Sequence, residues 1–467
     1  MRPRHQIARE RLEAVLTRRG PLGAAELADI LRVSGPTVLR MLKEQAEHVV
    51  EFGQARRRRY AWRRPLRGEL APLPLYAVGR DGQLSERGTL SLIQPAEQTC
   101  WQGCGQGAPT KGDWPIPAES ADGRWDGLPY PLQDMRPQGY MGRQFAHAHH
   151  QQLGLSDNPA QWSDGDALVA MSQLGGDLVG DLIVGHASLA QWQARRSTGL
   201  MPIAMTALSQ RYAELAQEAV AAGVPGSSAA GEFPKFTAVR SRPGAATPHV
   251  IVKFSGADDS AAVRRWSDLL VCEHLALQAM RALPGVAVAS TCIVQHAGRT
   301  FLESERFDRH GDWGRSPLVG LGTLDGAFVG SGSSDWTVVA SRLRGLKLLH
   351  EDEARCVALM WWFGRLIANA DMHAGNLSFV PCAGALTLAP AYDMLPMMYA
   401  PLAGGEVPER HYRPSWPQPA QRETWQAACD AALAFWQAAA SDERISPSFR
   451  QLCAGNVRKL AEDRLLV

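Results

Sequence analysis

The chain has 467 residues, more than one hydrophobic core accommodates, so two or three domains are expected. Hydrophobic residues make up 45% and charged residues 21%, the balance of a globular soluble chain. No apolar run reaches the length of a membrane span, and the start MRPRHQIARERLEAVL lacks a signal-peptide core, so a cytoplasmic location is expected.

Eight cysteines are scattered, with only Cys100 and Cys104 close together. That pattern fits buried reduced thiols better than a disulfide framework or a zinc site; Cys100 and Cys104 could start a metal site, but no second Cys or His pair follows at metal spacing. The net charge of +2 conceals an asymmetry. Residues 1–70 carry 16 Lys and Arg against 8 Asp and Glu, a net of +8, which leaves −6 for the rest. A basic head on a mildly acidic body points to a polyanionic partner for the head.

In chain order, Ile7, Leu12, Val15 and Leu16 recur at helical spacing until Gly20-Pro21. "AAELADIL" predicts a second helix. "RVSG" then turns the chain into "PTVLRMLKE", where Ser34 can cap and Pro36 occupies the first turn. "HVVEFGQARRRRYAW" reads as a hairpin around Gly53. The pattern resembles a winged helix-turn-helix with Pro36 to Glu44 as recognition helix. Thr37, Arg40 and Lys43 would project toward DNA, and the wing arginines Arg56, Arg57, Arg58 and Arg59 would contact phosphate. Such a domain often dimerises, which makes a homodimer one expected assembly. The protein would associate with the nucleoid when bound to DNA.

Residues 64–165, rich in Pro, Gly, Trp and Gln, predict an irregular β-rich subdomain. "WDGLPYPLQDMRPQGYMGRQF" reads as a packed loop, and "LGGDLVGDLIVG" (174–185) as two strands turned by glycines. Next, "AGVPGSSAAGEFPKFTAV" (222–239) strings small residues before a strand. Its backbone, including Gly231, could approach phosphate oxygens, with Ser227 and Ser228 as hydroxyl donors. "TPHVIVKFSG" places one lysine, Lys253, in an apolar strand, where a kinase holds its phosphate-binding lysine. Residues 264–282 predict an amphipathic helix, and "TCIVQHAGRTFLESERFDRHG" a hairpin. Its end, Ser304 to Phe307 with Glu305 between, would pair with adenine through its backbone.

"EDEARCVALMWWFGRLIAN" (351–369) predicts a buried helix leading into "ADMHAGN". Asp371 precedes Asn376 by five residues, the interval between base and metal ligand in the kinase pattern H-R-D-x-x-x-x-N. A carboxylate there can accept a hydrogen bond from an attacking hydroxyl, while an amide oxygen one short turn later holds magnesium. "LTLAPAYDMLP" supplies a second metal carboxylate, Asp393, in a strand-like setting, and His373 would orient the loop.

"NADMHAGNLSF", "APAYDMLP", "SERFDR", "SSAAGEFPK" and "HVIVKF" together resemble the HipA kinase family of bacterial toxin–antitoxin systems. The likeness is to its YjjJ (HipH) type, with a fused N-terminal helix-turn-helix. The resemblance implies an α+β fold: an atypical protein-kinase-like, two-lobe HipA fold with a β-rich N-lobe and helical C-lobe, preceded by the winged domain. The expected divisions are 1–65, 66–205, 206–310 for the ATP-binding part, and 311–467 for the C-lobe. It also implies Asp371 as catalytic base, Asn376 and Asp393 as magnesium ligands, Lys253 as the ATP-phosphate lysine, and Ser228 as the autophosphorylated loop serine. ATP, Mg2+ and a protein substrate follow.

Two departures from the family stand out. Its helix glutamate aligns best with Leu269, with Asp268 and Glu273 nearby, and "GEF" replaces a Gly-Ala-Gln type sequence. They keep a second reading open, a DNA-binding regulator with a degenerate ATP-sensing body. A third reading, a metal-dependent DNA-cleaving toxin, rests on the same acidic residues.

Overall fold

The computed structural model describes residues 3–104, 114–221 and 232–467. Three helices open the chain, Pro3–Arg19, Ala24–Leu31 and Gly35–Glu44. Ser34 Oγ accepts the Thr37 N–H at the start of the third, with Pro36 in its first turn. Leu12, Leu16, Leu27, Val38 and Met41 form their common core. The strands Val49–Phe52 and Arg59–Trp62 pair antiparallel, and their apolar face (Val50, Phe52, Ala61) packs on Ile93 and Cys100 of the next sheet. Hydrogen bonds from Gln102 Nε2 to Glu51 O (2.7 Å) and from Arg64 N to Leu92 O (2.8 Å) reinforce that docking.

That next sheet has five antiparallel strands in the order Arg124–Asp126, Gln98–Gln102, Leu84–Ile93, Leu73–Val78 and Leu182–Val184. Two of the sequence readings need correction here. The stretch read as a packed loop begins with the end of the strand Arg124–Asp126, contains the short helix Tyr130–Gln133 and starts the helix Gly139–Leu153. The glycine-rich stretch 174–185 forms one strand, Leu182–Val184, not two. Its first half is held as a loop by charge: Asp177 takes Arg309 Nη2 at 3.0 Å and Arg195 Nη1 at 3.1 Å, and the Gly180 N–H donates to Asp308 Oδ2 at 3.1 Å.

A second, four-stranded antiparallel sheet runs Thr291–His296, Arg299–Glu305, His249–Phe254, Lys235–Val239. In "HVIVKF" the alternation of a strand buries Val250, Val252 and Phe254 against the helix Leu208–Ala221 and turns Lys253 to the opposite face. The helix Ala261–Met280, capped by Ser260 Oγ on Val263 N (3.2 Å), lies beside that face. Beyond it come the helices Trp336–Gly345, Glu351–Leu366, Arg422–Ser441 and Pro447–Leu466, with a small sheet of Val319–Gly320, Ser378–Cys382 and Ala385–Leu388. One hydrophobic cluster extends from Leu75 and Trp101 through Leu270 and Leu277 to Phe363 and Trp436, so middle sheet and helical lobe share a core.

A buried charge cluster joins the two sheets. Arg306 clasps Asp308 through Nε (3.0 Å) and Nη2 (2.8 Å), while Arg309 reaches Asp308 Oδ2 (2.7 Å), Asp177 and the Gly180 carbonyl. Burial raises the cost of charge on Asp177 and Asp308, yet the arginines hold both carboxyls far below the usual range.

Candidate active site

The site forms where the Lys253 strand, the helix Ala261–Met280 and two loops of the helical lobe converge. The Lys253 ammonium donates to both oxygens of Glu273, at 2.8 and 2.7 Å, and to Asp393 Oδ1. Burial alone would lower the Lys253 pKa, but the two carboxylates hold it well above the lysine range. Of the helix positions weighed in the sequence, Glu273 is the one that meets Lys253, one turn beyond Leu269 on the same face, and Leu269 is fully buried in the core.

The buried helix Glu351–Leu366 ends at Ile367, and Ala368 adopts a left-handed conformation (φ 59°) that swings the chain out. Asn369 Oδ1 then accepts the Asp371 N–H at 3.0 Å. Asn376 Nδ2 donates to the Asp371 carbonyl at 2.9 Å, so the five-residue interval is closed by one bond, and Oδ1 is the Asn376 atom left to serve a cation. His373 Nδ1 accepts the Gly375 N–H at 3.1 Å and caps the turn Ala374–Asn376. In the neutral ring the proton is therefore on Nε2. Trp336 Nε1 donates to the His373 carbonyl at 3.2 Å.

Asp393 lies in a loop beyond the strand Ala385–Leu388, not within it, and has φ 57°. An aspartate tolerates this conformation better than most residues. Burial opposes its charge, but Lys253 and Lys235 keep its carboxyl below the ordinary range. Its neighbour Tyr392 ties the two loops together: the hydroxyl donates to the Gly375 carbonyl (2.8 Å) and meets Ser378 Oγ (2.7 Å). Tyr392 was not singled out in the sequence, although it adjoins Asp393 in "APAYDMLP".

Asp371 is exposed at the lip. Its carboxyl is raised by partial desolvation and by Asp393 and Glu232, against the lowering influence of His373 and Lys253. These interactions bring Asp371, His373, Asn376, Asp393 and Lys253 together. Ser227, Ser228 and Gly231 lie outside the described residues. At the expected adenine edge, Glu305 commits its carboxylate to Arg240 Nη2 (2.6 Å) and its N–H to Ser290 O (2.9 Å), while Phe307 packs on Tyr392. The Glu305 N–H is thus spent within the sheet, which leaves the carbonyl as its backbone group for a nucleotide.

Among the described residues no three His, Cys, Asp or Glu side chains converge as a metal cluster. One carboxylate and one amide oxygen suit magnesium, which takes few protein ligands and completes its shell with water and phosphate oxygens.

In the head, Arg40, Lys43 and Arg57 are exposed and Thr37 is half-buried. Arg58 pairs with Glu51 (3.0 Å) and Arg59 with Glu26. The side chain of Arg56 is outside the described set. No helix among the described residues is long and apolar enough to cross a membrane.

Comparison with known proteins agrees with this architecture. Residues 69–193 match the family described as "YjjJ-like toxin, middle domain", and residues 227–457 match "HipA-like C-terminal domain". The chain is 35% identical over 444 residues to Toxin YjjJ of Escherichia coli (strain K12), covering 95% of this chain and 96% of the relative. A chain of the solved Shewanella oneidensis MR-1 toxin–antitoxin complex of HipA, HipB and operator DNA superposes with a TM-score of 0.50 at 17% identity. The match covers 84% of this chain and 96% of that one. The chain therefore belongs to the family of YjjJ-like toxins and has the α+β fold of HipA.

Proposed function

We propose that the protein is a Mg-ATP-dependent Ser/Thr protein kinase of the HipA type that carries its own DNA-binding domain. The observation that carries this reading is the buried Lys253 ammonium held between Glu273 and Asp393, beside a loop that presents Asp371 and Asn376 together. Asp371 would take the proton of the attacking hydroxyl, and His373 and Asn376 hold its loop in shape. Lys253 would turn to the α- and β-phosphates. Asn376 and Asp393 would hold magnesium, which offsets phosphate charge when bound. Autophosphorylation on the Ser227–Ser228 stretch belongs to the same proposal.

The Glu273 pairing removes the missing-glutamate argument for a degenerate body. The direct Lys253–Asp393 bond also fits a phosphate clamp better than a DNA-cleaving metal pair. The test is incubation of the purified chain with γ-labelled Mg-ATP. Label on the wild type, lost in Ser228→Ala, supports both kinase and loop acceptor. An unlabelled wild type that still binds ATP would defeat the transfer reading.

The raised Asp371 carboxyl gives a pH signature. A base acts only when deprotonated, so transfer should decline as pH falls through a value above that of an ordinary aspartate. His373 lowers that value, so His373→Asn should move the acid limb to still higher pH. A pH–rate profile with an unmoved limb would remove His373 from the site's electrostatics.

For the head, the three-helix and hairpin arrangement with exposed Arg40 and Lys43 supports duplex DNA as ligand. Arg40→Ala with Lys43→Ala should weaken binding to DNA from upstream of its own coding sequence. The slope of log K against log salt should flatten by about 0.9 for each phosphate that the variant no longer neutralises. Fluorescence anisotropy across a salt series reads both, and an unchanged slope would exclude these side chains from the DNA interface.

A further inference from the structure

The "GEF" departure places a carboxylate, Glu232, at the end of the small-residue segment, and three donors from two parts of the chain receive it. Arg143 Nη2 lies 3.1 Å from Glu232 Oε2, Lys235 Nζ lies 2.8 Å from Oε1, and the Tyr140 backbone N–H also favours the charged carboxylate. Arg143 and Tyr140 belong to the helix Gly139–Leu153 of the middle domain, whereas Glu232 and Lys235 belong to the HipA-like domain. The approach is close, and glycine suits its edge. Gly139 has φ 60°, and a Cβ there would sit 3.0 Å from Glu232 Oε1.

Lys235 is paired in register with Lys253 on the neighbouring strand, and its charge acts on Asp393 and Glu273. Glu232 in turn acts on Asp371. An unheld carboxylate at this place would repel phosphate oxygens and retain Lys235 for itself.

We propose that Arg143 is a positioning residue of the transfer site. With the Tyr140 amide it holds Glu232, so that the Lys235 ammonium is free to turn to the phosphates of a bound nucleoside triphosphate. The middle domain thereby completes a nucleotide site whose other groups all come from the HipA-like domain. This rests on the kinase reading above.

The experiment uses the full-length chain, with Mg-ATP affinity from titration calorimetry and self-labelling rate against ATP concentration. Arg143→Met should weaken Mg-ATP about tenfold and raise the half-saturating ATP concentration alike, with the maximal rate nearly unchanged. Arg143→Lys should recover part of the loss. Glu232→Gln in the Arg143→Met background should restore affinity, because the charge that needed holding is gone. A general loss of fold would not be reversed by that second change.

Wild-type affinity in Arg143→Met would overturn the proposal. So would a double variant as weak as Arg143→Met alone, since Arg143 would then not act through Glu232. Wild-type protein without Mg-ATP affinity would overturn the kinase reading and this inference with it.

Discussion

Asp371→Ala should lower the maximal rate of γ-phosphate transfer about a thousandfold, or ~4 kcal/mol in the barrier, while Mg-ATP affinity stays within a few-fold of wild type. The separation follows from how the loop is held. Its shape depends on the Asp371 N–H to Asn369 Oδ1, the Asp371 carbonyl to Asn376 Nδ2, and the Gly375 N–H to His373, and none of these uses the Asp371 carboxylate. Truncation therefore removes the proton acceptor and leaves the Asn376 and Asp393 oxygens in place. Single-turnover labelling, with calorimetric titration of Mg-ATP beside it, measures the two quantities. A rate loss under tenfold would take the base role away from Asp371.

Lys253→Met should cost more in stability than any other single change at the site, about 3–5 kcal/mol. The lysine is the shared partner of two carboxylates, Glu273 buried and Asp393 half-buried. Without it, Glu273 and Asp393 lose their bonded counter-charge and keep only the unbonded influence of Lys235, and the ion pairs that link the strand to the helix Ala261–Met280 and to the helical lobe are gone. The pH dependence has a definite sign. The two abandoned carboxyls acquire raised folded-state pKa values, so the folded variant binds protons more readily than the unfolded chain and gains stability as pH falls. The deficit against wild type should thus be largest near neutrality and shrink toward pH 5 in thermal melts. A deficit that grows on acidification would show that the carboxylates had found other partners. Affinity for Mg-ATP should be lost at every pH.

The polar loop Asp371 to Asn376 was legible because its groups lie within six consecutive residues, where a single turn decides the geometry. Lys253 was legible because strand alternation sets it apart from Val250, Val252 and Phe254. Glu273 could not be told apart from Leu269 as the partner of Lys253, because a four-residue displacement on a helix keeps the same face. Only the position of the lysine on the facing strand selects the turn. Arg143 was invisible, since its bond to Glu232 spans 89 residues and no local pattern encodes it. The helix Gly139–Leu153 was obscured by the Pro- and Gly-rich stretch before it. Likewise, nothing in "LGGDLVGDLIVG" announces that Asp177 will be claimed by arginines more than a hundred residues later.

The salt cluster of Asp177, Arg306, Asp308 and Arg309 bears on how such a chain can be cut and recombined. The two family matches stop at 193 and resume at 227, which invites treating them as interchangeable cassettes. Yet a HipA-like segment expressed alone would expose a guanidinium pair matched to an aspartate it no longer has, and a middle segment alone would carry that aspartate without its arginines. The boundary between the two family matches is therefore crossed by this salt cluster. A graft between relatives would have to carry Asp177, Gly180 and the "RFDR" stretch as one inheritance.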